Sequence, residues 1–181
     1  MVGREQLLPA AGTEVLARFG DGAAVTRHAY GKGHVYVVGF FPGLEYHAKA
    51  RRQDFDFTQD FDAEHRAYVA GPALERVKPV VDASEPLVEG VLLKNNASGR
   101  RAVTLVNWAF RVSGTQERQG RSRPLKETLP FQDLKVTIRG AGDAAKVTSA
   151  ATGKALQVIK SGNDLKVVVP VLEEADVLLL E

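Results

Sequence analysis

The side chains that could carry chemistry in this chain are few. Four histidines, His28, His34, His47 and His65, are the groups suited to metal binding or proton transfer near neutral pH. None stands in an HxH or HExxH spacing, which would put two imidazoles on one strand or helix face. His28 and His34 fall on strands expected to be adjacent, and two separate, partly exposed strand histidines are the simpler reading. Asp54, Asp56, Asp60, Asp62 and Glu64 supply oxygens of the kind a hard cation takes. Their spacing is not that of an EF-hand and lacks its sharp-turn glycine, so a solvated acidic loop anchored by Phe55, Phe57 and Phe61 is expected. Glu45 and Glu64 are carboxylates of the type glycosidases pair, but nothing in the sequence sets them opposite one another. No GxSxG, GxGxxG or Walker loop occurs. Gly31-Lys32-Gly33 has the look of a phosphate loop, yet it joins two strand patterns rather than opening a helix, and reads as a hairpin turn. On these grounds the sequence assigns no catalytic residue, no cofactor and no metal ligand.

Trp108 could stack on a sugar ring, as could Tyr30, Tyr36 and Tyr46. It sits in an alternating strand pattern just after Asn107, where a core position is the expected one. Arg118, Arg121, Arg123 and Lys126 make the stretch 111–126 basic. Without interleaved aromatics to stack bases it reads as an exposed loop, and no nucleic-acid partner is expected. Asn96-Ala97-Ser98 fits an N-glycosylation acceptor, a tripeptide too short to carry weight.

These residues are positioned by a β-rich scaffold. Glu14–Phe19, Ala24–Tyr30 and His34–Phe41 are strand patterns separated by Gly20-Asp21-Gly22 and Gly31-Lys32-Gly33. The third is apolar on both parities and is expected to be buried on both faces, with Val35, Val37, Phe40 and Phe41 inside. Asp62 can cap a helix over 63–70, which Gly71-Pro72 should break or kink, with a second short helix to Val77. Lys78–Pro86 reads as a connector. Seven strand patterns follow, at 87–93, 101–110, 134–139, 146–149, 155–160, 165–171 and 176–180. Their regular turns argue for an antiparallel β-sandwich, with Val103, Leu105, Val136, Ile138, Val158, Val167, Val169, Val177 and Leu179 as candidate core. The stretch 113–127 is expected to be a long polar loop.

Composition bounds the rest. There is no cysteine, hence no disulfide, thiolate nucleophile or Cys-ligated zinc. No apolar run approaches the roughly 20 residues of a spanning helix, so no membrane partner is expected. The first dozen residues lack the pattern of a secretory leader, and the compartment stays open. Residues 1–90 carry net −3 and residues 91–181 net +5, a split that suggests two modules.

Val15-Leu-Ala-Arg-Phe-Gly-Asp-Gly22, followed by Ala29-Tyr-Gly-Lys-Gly-His-Val-Tyr-Val-Val-Gly-Phe40, resembles the end of the glutamine-amidotransferase-like domain of carbohydrate-active proteins. The trimerisation domain of family 42 β-galactosidases is the best-known example. Amidotransferases of class I carry Phe-His-Pro-Glu where this chain has Phe40-Phe41-Pro42-Gly43, and they need a cysteine. The resemblance therefore implies a degenerate, non-catalytic copy over about residues 12–80. Val103–Trp108 and Leu165–Leu180 are similar to the small β-sandwich that closes many glycoside hydrolases. The expected fold is mostly β within an α+β class. A partial amidotransferase-like α/β segment (β-meander plus helix, 1–80) precedes an antiparallel β-sandwich (85–181). The expected role is a non-catalytic accessory or assembly module of a β-galactosidase-like glycoside hydrolase, with an upstream catalytic domain or another copy of the chain as partner. A carbohydrate-binding module with aromatic platforms is the alternative, and a hydrolase with its own site the weakest reading.

Overall fold

The computed structural model describes residues 3–45, 63–112 and 125–181. They fall into two compact units, one running up to Val77 and the other from Lys78 to Glu181. No helix among the described residues is long and apolar enough to cross a membrane.

The first unit is a three-stranded antiparallel meander, β1 (Glu14–Phe19), β2 (Gly22–Tyr30) and β3 (Gly33–Val38), with a helix α1 (Ala63–Leu74). Both hairpin loops have two residues, Gly20-Asp21 and Gly31-Lys32. Gly20 and Gly31 have φ of 56° and 57°, the positive angle that a tight hairpin needs at its first loop position and that only glycine adopts freely. The core is Phe19, Ala24, Val25 and Phe40, with Ala17, Val38 and Tyr68 packed against it. Phe40 is its hub, meeting Phe19, His65 and Tyr68 edge-on at 5.8, 6.2 and 5.4 Å between ring centres. The Arg4 guanidinium lies 4.6 Å over the Phe19 ring.

Two expectations fail in this unit. The third strand is not buried on both faces: Val35, Val37 and Phe41 are 48%, 45% and 57% exposed, and only Phe40 of the four is buried. β3 is an edge strand, and α1 reaches the core through Tyr68 on the Val25 and Val38 face. Val35 and Val37 stand opposite His28 and Thr26 on the other face. Of the break or kink expected at Gly71-Pro72, the break does not occur: α1 runs through both residues to Leu74. Glu75 N–H donates to the Gly71 carbonyl at 3.0 Å and Val77 N–H to Ala73 at 2.9 Å, so the i→i−4 pattern resumes beyond the proline.

The second unit is an antiparallel β-sandwich. β4 (Val81–Ala83), β5 (Val88–Lys94), β6 (Arg101–Asn107), β7 (Phe110–Val112), β8 (Leu125–Thr128), β9 (Phe131–Ile138), β10 (Val147–Ser149), β11 (Gln157–Ser161), β12 (Asp164–Leu172) and β13 (Ala175–Leu180) follow in order. One sheet runs β10-β13-β6-β5, the other β11-β12-β9-β4, and β7 pairs with β8 as a small ribbon. Inner faces supply one core: Val103, Leu105, Val147, Leu178 and Leu180 from the first sheet meet Leu134, Val136, Ile138, Leu165, Val167, Val169 and Leu172 from the second. Each such side chain contributes about 1.5–3 kcal/mol by leaving water.

The sandwich was legible, but its details differ. β4 lies inside the stretch expected to be a connector, held by Val81–Ala83 pairing with Val136–Ile138. Leu125–Thr128, expected as the end of a loop, is a strand paired with Phe110–Val112; residues 113–124, with Arg118, Arg121 and Arg123, lie outside the described residues. Val177 and Leu179 are not core. They are 36% and 41% exposed, and Leu178 and Leu180 point inward instead. The run Val177-Leu-Leu-Leu180 is apolar on both parities, so its pattern alone does not choose a face. The choice is fixed by Asp176, which shares parity with Leu178 and is buried. It accepts hydrogen bonds from Ser149 Oγ (2.6 Å), Ala151 N–H (3.0 Å) and Val177 N–H (2.7 Å).

Candidate functional site

The residues singled out from the sequence are mostly not brought together. His28 and His34 sit on paired strands, but His28 opposes Val35 and His34 opposes Ala29. They therefore project from opposite faces of the meander and form no joint site. His28 Nδ1 is 3.0 Å from Thr13 Oγ1, and His65 packs on Phe40. Glu45 is buried while Glu64 is exposed on the first turn of α1, so the two carboxylates occupy unlike environments. His47, Tyr46 and Asp54 to Asp62 lie outside the described residues. Gly31-Lys32 is the hairpin loop that the sequence implied. Tyr36, one of the candidate platforms, is tied down: its hydroxyl donates to Glu75 at 2.5 Å. Arg27 bridges Glu14 at 2.7 Å alongside it, and hydrogen bonds to Tyr36 and then Glu14 raise the guanidinium further above its ordinary value. This network borders a shallow groove of about 290 Å³ between the sheet and α1, lined by Leu16, Val25, Val38, Ala67, Tyr68 and Pro72 among others.

The sandwich carries the more informative surface. Trp108 is not a core residue; it is 49% exposed. The reason lies one residue earlier. Asn107 is buried, and its amide donates to the Leu129 and Glu173 carbonyls at 2.8 and 2.6 Å while its Oδ1 accepts from Ala109 N–H at 2.8 Å. An asparagine side chain that replaces ladder bonds ends the strand, so β6 stops there and the chain turns outward. Trp108 is then fixed from both sides: its own N–H donates to Leu87 at 2.8 Å and its carbonyl accepts from Phe110 N–H at 3.0 Å. The indole Nε1 donates to Glu89 Oε2 at 3.1 Å, and the Phe110 ring lies tilted at 6.5 Å.

Glu89 opens the outer face of the first sandwich sheet. Cross-strand rows there read Glu89–Val106–Ala175, then Val91–Thr104–Val177, then Leu93–Ala102–Leu179–Thr148. Val91, Leu93, Val177 and Leu179 are all exposed, and Glu89 is the one charged residue in these rows. The other sheet presents Ile159–Lys166–Thr137–Asp82 and Gln157–Val168–Lys135, a mixed surface of the ordinary kind. At the far end of the aliphatic rows a cleft of about 610 Å³ is lined by Leu93, Asn95, Arg100, Arg101, Leu179 and Glu181 among others. The sequence signal for this face was present in the two-parity runs of β5 and β13; the exposure of Trp108 had only the asparagine before it as a clue.

No family model matches the chain, and no curated protein matches it. Among solved structures it is similar to alpha-L-fucosidase isoenzyme 2 from Paenibacillus thiaminolyticus, with a TM-score of 0.58 and 17% identity, over 88% of this chain and 22% of that one. The likeness is one of fold, and it runs through most of the present chain while spanning about a fifth of a much longer glycoside hydrolase.

Proposed function

We propose that the chain is a non-catalytic accessory or assembly module of a carbohydrate-active protein, the tail of a degenerate amidotransferase-like domain joined to a closing β-sandwich. The observation that carries this reading is the aliphatic outer face of the β10-β13-β6-β5 sheet. An antiparallel sandwich with two wet faces is polar on both. A contiguous exposed apolar face is a contact surface, and a domain that rests against a catalytic domain or a second copy needs one. The fold shared with a slice of a fucosidase supports the setting. The meander-plus-helix unit and its Tyr30–Gly33 hairpin support the amidotransferase-like part.

The test combines an activity and an assembly measurement on the 181-residue chain. No hydrolysis of p-nitrophenyl galactoside or fucoside above the blank is expected. Sedimentation and a hydrophobic dye should report self-association or dye binding that Leu93→Lys with Leu179→Lys removes. Turnover by the chain alone, or a strict monomer that binds no dye, overturns the reading. The half-exposed Trp108 favours a second reading beside this one, in which the sandwich also binds carbohydrate.

A further inference from the structure

We propose that Trp108 and Glu89 form a subsite for one neutral hexopyranose ring. The inference rests on the second reading above and gives it a place and a ligand class. Three features of the corner point to a small polar-and-apolar ligand. The indole is a broad apolar plate, half open to solvent, of the kind on which the C–H face of a sugar ring packs. The plate is held before any ligand arrives, because Trp108 is bonded through its backbone to Leu87 and Phe110 and through its ring to Glu89. Little ordering entropy remains to be lost on binding. Glu89 gives Oε2 to the indole N–H, and a carboxylate has acceptor capacity on both oxygens, so the rest is directed to hydroxyl donors beside the plate.

The same carboxylate argues against a protein partner over this corner. Covering Glu89 with an apolar surface would desolvate a charge whose one side-chain donor among the described residues is the neutral indole N–H, which costs more than the tryptophan contact returns. Sugar hydroxyls satisfy it instead. An anionic sugar would place a like charge against Glu89, so the ligand is neutral.

Trp108 is the single tryptophan of the chain, and its emission reports the site directly. Titration with methyl β-D-galactopyranoside, methyl α-L-fucopyranoside and methyl β-D-glucopyranoside should give a saturable change with at least one of them. Half-saturation belongs in about the millimolar range expected for one ring on one platform. Methyl glucuronide should bind at least about threefold more weakly, and Glu89→Gln, which keeps an acceptor for the indole, should narrow that difference. Saturation-transfer NMR should lose the sugar signal in Trp108→Ala. If that variant fails to fold, the wild-type titration and Glu89→Gln still decide the matter. Absence of saturation with every neutral sugar up to about 100 mM overturns the proposal. So does an emission shift that follows protein concentration and ignores sugar, which would make Trp108 part of a self-association surface. Neither result touches the assembly reading, whose test uses Leu93 and Leu179 and leaves the indole–carboxylate pair intact.

Discussion

Leu178 and Leu179 are neighbours in β13 with the same side chain, and the structure gives them opposite costs. Leu178 is 0% exposed between the two sheets, whereas Leu179 is 41% exposed on the outer face. Truncation of Leu178 to alanine removes three fully buried carbons, about 2.4 kcal/mol at ~0.8 kcal/mol each. A cavity term of about 1 kcal/mol follows, because packed neighbours relax only in part. The Leu178→Ala cost is therefore about 3–4 kcal/mol. Leu179→Ala loses a partial transfer term of at most about 1.4 kcal/mol and leaves no closed void. With a urea slope of about 2 kcal/mol per molar, the two midpoints should lie about 1 M apart, Leu178→Ala being the lower. Urea melts followed by far-UV circular dichroism measure this on the 181-residue chain. In protein dilute enough to sediment as a monomer, equal midpoints, or the reverse order, would refute the assignment of faces in β13 and with it the aliphatic outer surface. The comparison has a second use: where the outer face is covered by a partner, Leu179→Ala should approach the cost of Leu178→Ala.

Val37→Asp should leave the first unit folded, shifting its stability by about 1 kcal/mol or less because the side chain already faces outward; Phe40→Ala, at the hub of the same unit, should cost about 3–5 kcal/mol, and thermal melts separate the two. Asp176→Ala should cost about 2–4 kcal/mol, since it strands the Ala151 and Val177 amides and the Ser149 hydroxyl in a partly buried corner; a melt within a degree or two of wild type would show that water replaces the carboxylate. Asp143 accepts two hydrogen bonds from Arg101 Nη2, both 2.9 Å, which hold its carboxyl below the usual carboxylate range. Its folded value lies below the unfolded one, so the small stabilisation from this exposed pair is complete above about pH 4 and is lost as pH falls through the folded value. Wild type and Asp143→Asn should therefore differ at neutral pH and converge in acid, and a gap that widens on acidification would reverse the sign.

How much could be read from the sequence depended on whether apolar residues took one parity or two. β9 alternates cleanly, and Val136 and Ile138 are where the alternation put them; in β6 and β12 the polar Thr104 and Lys166 mark the outer parity, so that Val103, Leu105, Val167 and Val169 are inside despite the second-parity Val106 and Val168. β3 and β13 are apolar at consecutive positions, and for such runs the pattern is silent about which face is wet. In β3 the answer lay in tertiary packing, since α1 covers the face that carries Val25 and Val38 and leaves Val35 and Val37 exposed on the other. In β13 it lay in a partner 27 residues away, because Asp176 is buried only by virtue of Ser149 and Ala151. Short strands were missed for a related reason. β4, three residues long, has no period of its own and exists through its pairing with β9. Trp108 left the core through Asn107, whose three side-chain bonds reach Leu129, Glu173 and Ala109. A strand that runs into asparagine is a recognisable stop signal, and weighting it above the hydrophobicity of the next residue would have placed the indole outside.

The two outer faces of the sandwich bear on what the module does. Lys166, Lys135 and Asp82 stud one face, while the other carries four exposed aliphatics and Glu89 alone. Buried polar backbone forces neither arrangement, and core packing is indifferent to both, because these side chains point away from it. A selective reason must come from outside the sandwich, and a contact surface over Val91, Leu93, Val177 and Leu179 is the one that apolar chemistry permits. Glu89 sits at the end of that surface rather than in its middle, paired with an indole that stays open. A partner seated on the aliphatic rows can stop short of the carboxylate, leaving docking and sugar binding side by side on one sheet without competition between them.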